Sequence, residues 1–315
     1  MASSKPESEQ NNNHKHSHHH SHAPGHSHIN KDMSSTRIAW AFALNVCFTI
    51  IEFIGGYLTN STAIMADAVH DLGDSLSIGL AWILNKLSKK QRNETYSYGY
   101  KRFSLLAALI NGVVLIVGSV WVITMSVPRL FAPEMPDAQG MIWLAILGVV
   151  VNGYAAYKLS EGKTLNERVL NWHLIEDVLG WVAVLIVAIV LLFIDLPILD
   201  PILSIAFTLF ILFNVFKNLK ISVKLFLQAS PDQAIQEQIC TELNALPEVK
   251  DIHHVHFWSL DGEQHVLTAH LVLNSHLDQS AQRNVKSEIS ALLAPYQLAH
   301  TTIEFELDDE DCRDN

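Results

Sequence analysis

The chain has 315 residues, 49% of them hydrophobic and 17% charged, with a formal net charge of −11. That profile is a membrane protein's, and the charges are unevenly spread: residues 225–315 hold 16 acids against 4 bases, while the other 224 residues nearly balance. No nucleic-acid partner is expected from such a surface, and Cys47, Cys240 and Cys312, far apart and without a C-x-x-C, argue against a disulfide framework or a cysteine zinc knuckle.

Residues 1–30 are polar and low in complexity, with His14, His16, His18, His19, His20, His22, His26 and His28 interspersed with Ser, Lys, Ala and Gly. Such a segment cannot bury a core, so disorder is expected, with its histidines collecting divalent metal weakly at overlapping positions. The interruptions distinguish it from a purification tag.

Six apolar runs follow, near 38–58, 62–87, 103–127, 141–159, 172–194 and 197–216. At about 20 residues each can cross the hydrocarbon layer as a helix. Lys and Arg cluster in alternate connections: six from Lys86 to Arg102, three from Lys158 to Arg168 and three from Lys217 to Lys224, against Arg129 alone in the others. The positive-inside rule then places both termini in the cytoplasm. Asn45, Asn111 and Asn152 are expected to hydrogen-bond between helices, and Asp195 and Asp200 to lie at the outer interface.

The second run carries Asp67, His70, Asp71 and Asp74, which fall along one stripe of a helix. Each such group costs about 2.5–3.5 kcal/mol near the bilayer centre, so it is expected to pair, bind an ion or face water. The fifth run repeats His-x-x-x-Asp with His173 and Asp177. Two helices each offering one imidazole and one carboxylate can close the four-coordinate N2O2 shell that zinc favours. The neighbouring carboxylates Asp67, Asp71, Glu176 and, in the first run, Glu52 are candidates to support these ligands or relay protons.

A bound divalent cation is the reading these motifs favour. Two imidazoles and two carboxylates balance a dication, disfavour Mg2+ and Ca2+, and can exchange metal for protons; Zn2+ comes first, with Cd2+ or Co2+ possible. An intramembrane zinc hydrolase would need an open coordination position, and no H-E-x-x-H or separate general base is evident. A membrane-anchored zinc sensor that moves nothing is the other alternative, supported by the His-rich tail and the acidic domain.

Beyond Lys224 the pattern becomes that of a soluble domain. Ser230-Pro231-Asp232-Gln233 opens a helix with Pro at its first position; 250–258 and 264–273 are strands joined at Asp261-Gly262; a second helix covers 278–293 and a last strand 301–307. The order α-β-β-α-β predicts a small open-faced sandwich.

The chain resembles the cation diffusion facilitator family, its zinc-transporting branch in particular, through Thr59-Asn60-Ser61, Ala66-Asp67-Ala68-Val69-His70-x-x-x-Asp74, Tyr98-Gly99-Tyr100-x-Arg102, His173-x-x-x-Asp177 and the stretch Ile252 to Leu260. The resemblance implies an α-helical membrane protein: six transmembrane helices with a C-terminal cytoplasmic α+β domain, ferredoxin-like and metallochaperone-like. It also implies a homodimer through both parts, with metal leaving the cytoplasm in exchange for protons and His70, Asp74, His173 and Asp177 as transport ligands. By motif position His253, His270, His300, Glu304 and Glu306 resemble ligands of a further, regulatory zinc site in the cytoplasmic domain; His254, His256, His265 and His276 are read as structural or exposed. Asp71 and Glu176 stand where apolar or small residues are expected. The expected division is a His-rich tail (1–36), a transmembrane domain (37–217), a linker (218–230), the cytoplasmic domain (231–307) and an acidic tail (308–315), in a bacterial inner membrane.

Overall fold

A computed structural model describes residues 35–88, 92–160 and 165–313. The amino-terminal histidines lie outside the described residues.

Six long helices come first: α1 (Ser35–Leu58), α2 (Thr62–Ser88), α3 (Phe103–Phe131), α4 (Ala138–Ser160), α5 (Leu165–Phe193) and α6 (Leu199–Phe226). Among the described residues, four segments, within α3, α4, α5 and α6, are long and apolar enough on composition alone to cross a membrane. The ionisable stripe of α2 lowers its hydropathy. Outward-facing side chains such as Val117, Trp143, Ile186 and Phe213 are apolar and exposed, as a lipid-facing surface requires. The linker expected over 218–230 is instead mostly helix, because α6 continues to Phe226 and delivers the chain directly to the soluble domain.

α2 is the central element, packed by α1, α3 and α6, while α4 pairs with α5 and reaches α1. Small residues permit the close approaches: Gly118 of α3 receives Val69, and at Gly148 of α4 a Cβ would collide with the buried indole of Trp181 in α5. Asn45 donates to Ser75 at 2.9 Å and Asn111 to Ser77 at 2.8 Å, tying α1 and α3 to α2.

Asp200 is not interfacial as its place in the sequence suggested. It is 1% exposed. Its carboxylate accepts from the Ser61 hydroxyl (2.5 Å), the Thr62 amide and hydroxyl (2.6 and 2.8 Å) and the Ala63 amide (3.2 Å). A buried anion is thus satisfied by the unpaired amides at the start of α2, and the helix dipole favours it there. The contact fixes the amino-terminal end of α2 to α6. Beside it Asn60 takes a left-handed φ of 54°, and Arg129 donates to its carbonyl at 2.6 Å.

The soluble part comprises α7 (Gln233–Asn244), β1 (Val249–Ser259), β2 (His265–Leu273), α8 (Gln279–Leu293) and β3 (His300–Leu307). The sheet order is β1-β2-β3, antiparallel then parallel. α7 starts two residues later than the Ser-Pro signal suggested, because Asp232 is its cap, accepting from the amides of Ala234 (2.9 Å) and Ile235 (3.2 Å). Ile239 and Leu243 of α7 and Val285, Ile289 and Leu293 of α8 pack on Phe257, Leu267 and Leu271 of the sheet. In the β1–β2 turn, Asp261 accepts from the amides of Glu263 and Gln264, and Gly262 takes φ 100°.

The Tyr98–Arg102 segment joins the two parts. The Arg102 guanidinium donates to the Phe226 carbonyl at 2.8 Å and lies over the Phe226 and Trp258 rings, while Tyr98 packs edge-on against Trp258 and His300. The segment just before α3 is thereby held against both the end of α6 and the sheet.

Candidate metal centres

The i, i+4 spacing on α2 and on α5 places each His and Asp pair one turn apart on one face. α2 and α5 meet over only a short stretch, and there the four side chains converge. His173 Nε2 lies 2.9 Å from Asp74 Oδ2 and 3.9 Å from Asp177 Oδ2; His70 Nε2 lies 3.6 Å from Asp74 Oδ2 and 3.8 Å from Asp177 Oδ1. The two imidazole rings stand 5.7 Å apart. Donor atoms of His70, Asp74 and His173 all lie within 4.8 Å of one another, and Asp177 closes the fourth side. Asp74 Oδ2 is buried and, although His173 Nε2 is close, makes no well-aligned hydrogen bond, so a donor of the right chemistry stands ready for a cation.

The flanking carboxylates divide. Glu52 (1% exposed), Asp67 and Asp71 are buried together on the α1–α2 side of the quartet. Glu52 and Asp71 lie within hydrogen-bonding reach of each other, and Asp67 Oδ2 is buried without a hydrogen-bond partner. Glu176 is exposed on α5, its side chain set about 100° around the helix from that of its neighbour Asp177, close enough for its charge to act on that carboxylate.

In the soluble domain, β1 and β2 set His253 opposite His270. His253 Nε2 lies 2.8 Å from Glu306 Oε2, and His270 Nδ1 lies 2.7 Å from Glu306 Oε1. Burial by itself would raise the Glu306 carboxyl, but the hydrogen bonds of Cys312 and His270 and the charges of His253 and His270 outweigh it and hold the group below its ordinary value. Glu304 is at the margin, 3.9 Å from His270 Nε2 and bonded at 2.7 Å by Arg313. His300 is not in the cluster: it starts β3 at the other end of the sheet, where its ring packs on Tyr98.

Two members escaped sequence reasoning. Strict alternation along β1 sends His254 to the opposite face from His253, but a bulge interrupts the β1–β2 register between His253 and His256, and His254 takes a left-handed φ of 48°. Its ring therefore joins those of His253 and His270, with centroids 5.2–5.5 Å apart. A non-glycine residue held in that region marks a site worth explaining, and histidine is among the residues that tolerate it. Cys312, 42 residues after His270, comes back to within 3.5 Å of His270 Nδ1; its one sequence signal was being a cysteine in an otherwise acidic tail.

Two imidazoles and two carboxylates brought together by converging apolar helices define a multi-pass cation-handling membrane protein. Similarity to known proteins agrees: the model of the cation efflux transmembrane domain matches residues 38–227, and that of the cation efflux protein cytoplasmic domain matches 231–307. The chain belongs to the cation efflux family, the cation diffusion facilitators. It is 32% identical to the cadmium, cobalt and zinc/H(+)-K(+) antiporter of Bacillus subtilis over 90% of this chain and 92% of the relative. It is 31% identical to the zinc transporter ZitB of Escherichia coli over 89% and 90%, and 29% identical to the metal cation efflux system protein CzcD of Cupriavidus metallidurans over 90% of each.

Proposed function

We propose that this protein exports Zn2+ from the cytoplasm in exchange for protons, with Cd2+ and Co2+ as further cargo, and that His70, Asp74, His173 and Asp177 form the transport site. The convergence of two imidazoles and two carboxylates from α2 and α5 carries the reading. The donor set is N2O2 with two negative charges, which matches a dication in charge and zinc in number and type of ligand. It contains no thiolate, so release remains feasible. Imidazole, with an ordinary pKa of about 6.5, can exchange metal for a proton as the helix pair is opened first to one side and then to the other. Glu52, Asp67 and Asp71 lie beside the route as candidate proton carriers, and the name of the Bacillus relative gives H(+) and K(+) together.

Both termini are assigned to the cytoplasm on the distribution of Lys and Arg. The match to the cytoplasmic domain of cation efflux proteins supports a homodimer, and the relatives named above are bacterial, which supports a bacterial inner membrane. His253, His270 and Glu306 are proposed as a regulatory metal site whose cations reduce self-repulsion of the acidic domain.

Net zinc flux in proteoliposomes under an imposed proton gradient tests the export reading. Zinc movement opposite to the proton gradient, with stoichiometric proton countermovement, is expected. Zinc binding without net flux would instead make the protein a membrane-anchored sensor.

A further inference from the structure

The His253–His270–Glu306 cluster has a fourth wall that position in the chain offers no reason to expect. After β3 the chain turns back on itself: the Glu310 amide donates to the Leu307 carbonyl at 3.0 Å, and the Glu310 carboxylate accepts from the Leu307 amide at 3.2 Å. Two ion pairs fasten the returning segment, Lys250 with Asp308 and Arg313 with Glu304. Between them Cys312 is set over the sheet, and ligand atoms of His253, His270, Glu306 and Cys312 all lie within 4.8 Å of one another. His270 and Glu306 are 8% and 5% exposed. The buried His253 Nε2 makes no hydrogen bond despite its nearness to Glu306, so a ring nitrogen of the cluster is available to a metal.

We propose that Cys312 is a metal ligand, so that the cytoplasmic site is a thiolate centre of two imidazoles, one carboxylate and one sulfur for zinc or cadmium, and the carboxy-terminal tail is a clamp closed by the metal. This rests on the reading of the His253–His270–Glu306 cluster as a metal site. Four donors satisfy the tetrahedral count, and zinc bonds of about 2.0–2.3 Å require donors roughly 3.3–3.8 Å apart. The present separations therefore call for a contraction of about 1–1.5 Å at most, which the returning segment after β3, outside the sheet, can supply more readily than three hydrogen-bonded strands can. Thiolate and carboxylate together neutralise the dication. The soft sulfur favours zinc and cadmium over manganese and magnesium.

The contrast with the membrane site is chemical. The α2–α5 quartet has only nitrogen and oxygen donors and suits a cargo that must leave; a thiolate holds zinc more tightly and suits a metal that stays. The bulge at His254 contributes to the same end by placing a third imidazole against the site as a wall.

The test exploits the sulfur. Full-length protein in detergent, stripped of metal by a chelator, is titrated with Co2+ and followed by absorption in the near ultraviolet. There thiolate-to-cobalt charge transfer absorbs and nitrogen or oxygen sites, including the transport quartet and the amino-terminal histidines, do not. A charge-transfer band saturating at one Co2+ per chain and displaced by Zn2+ is expected. It should be lost in Cys312→Ser and kept in Cys47→Ser, Cys240→Ser and His70→Ala. Circular dichroism of Cys312→Ser identical to the parent's would assign the loss to the ligand and not to unfolding. Absence of the band from the parent at saturating Co2+, or its persistence in Cys312→Ser, would overturn the proposal. Neither result depends on flux, so the export reading stands or falls separately.

Discussion

At the scale of single residues, sequence position and structural role separate most clearly where a buried charge finds partners. Asp200 looked like a surface acid and is the anchor of the α2 start, receiving four hydrogen bonds. Removing one partner of such a group strands the others, so Asp200→Ala is expected to destabilise the transmembrane part by about 3 kcal/mol or more, read as loss of thermal stability in detergent. Asp278 is the simpler case. The Ala281 amide, then the Ser280 hydroxyl, hold its carboxyl below the ordinary value. A depressed carboxylate contributes stability above its unfolded pKa of about 4, and that contribution is lost as pH falls through the lower folded value. Asp278→Asn keeps a capping oxygen but cannot titrate. Hydrogen exchange should therefore show α8 amides deprotected by acid in the parent and less so in the variant, and equal acid sensitivity would refute the cap's role.

At the scale of elements, the proposed function rests on α2, α5 and the Tyr98–Arg102 segment. Ring placement in α5 depends on α4: Trp181 sits one turn after Asp177 and fills the space that Gly148 leaves. Gly148→Ala is expected to displace the indole and lower zinc flux with the four donors intact, whereas Gly153→Ala, where a Cβ meets only Val178 at 3.9 Å, should leave flux near the parent's. Arg102→Ala, which removes both the bond to Phe226 and the ring contacts, is expected to weaken the link between cytoplasmic metal and transport rate. Flux stimulated by zinc on the cytoplasmic face should fall toward its unstimulated level in that variant. The helices themselves were legible because apolar runs of membrane length leave little choice of structure, and the His-x-x-x-Asp repeat was legible because helical periodicity is rigid. The β1 bulge was not, since a register shift of one residue reverses which face a strand residue takes without any change in composition. Nor was Cys312, whose place depends on a turn fastened by ion pairs to residues that sequence does not mark as neighbours, Lys250 and Asp308 being 58 positions apart.

For the whole molecule, a membrane unit with nearly balanced charge is joined to an acidic soluble domain through the Arg102 contacts and the unbroken run of α6. The orientation assigned to it predicts that an affinity tag at either end is reached by an antibody in inverted vesicles and not in sealed right-side-out ones. What the fold brings together at its centre is the proposed ion site, made by two helices that otherwise barely meet. Proton-driven zinc uptake into inverted vesicles, measured for the parent and for His70→Ala, Asp74→Ala, His173→Ala and Asp177→Ala at equal protein levels, addresses that claim most directly. Loss of uptake in all four variants is predicted; parental uptake in any one of them would contradict the four-ligand site.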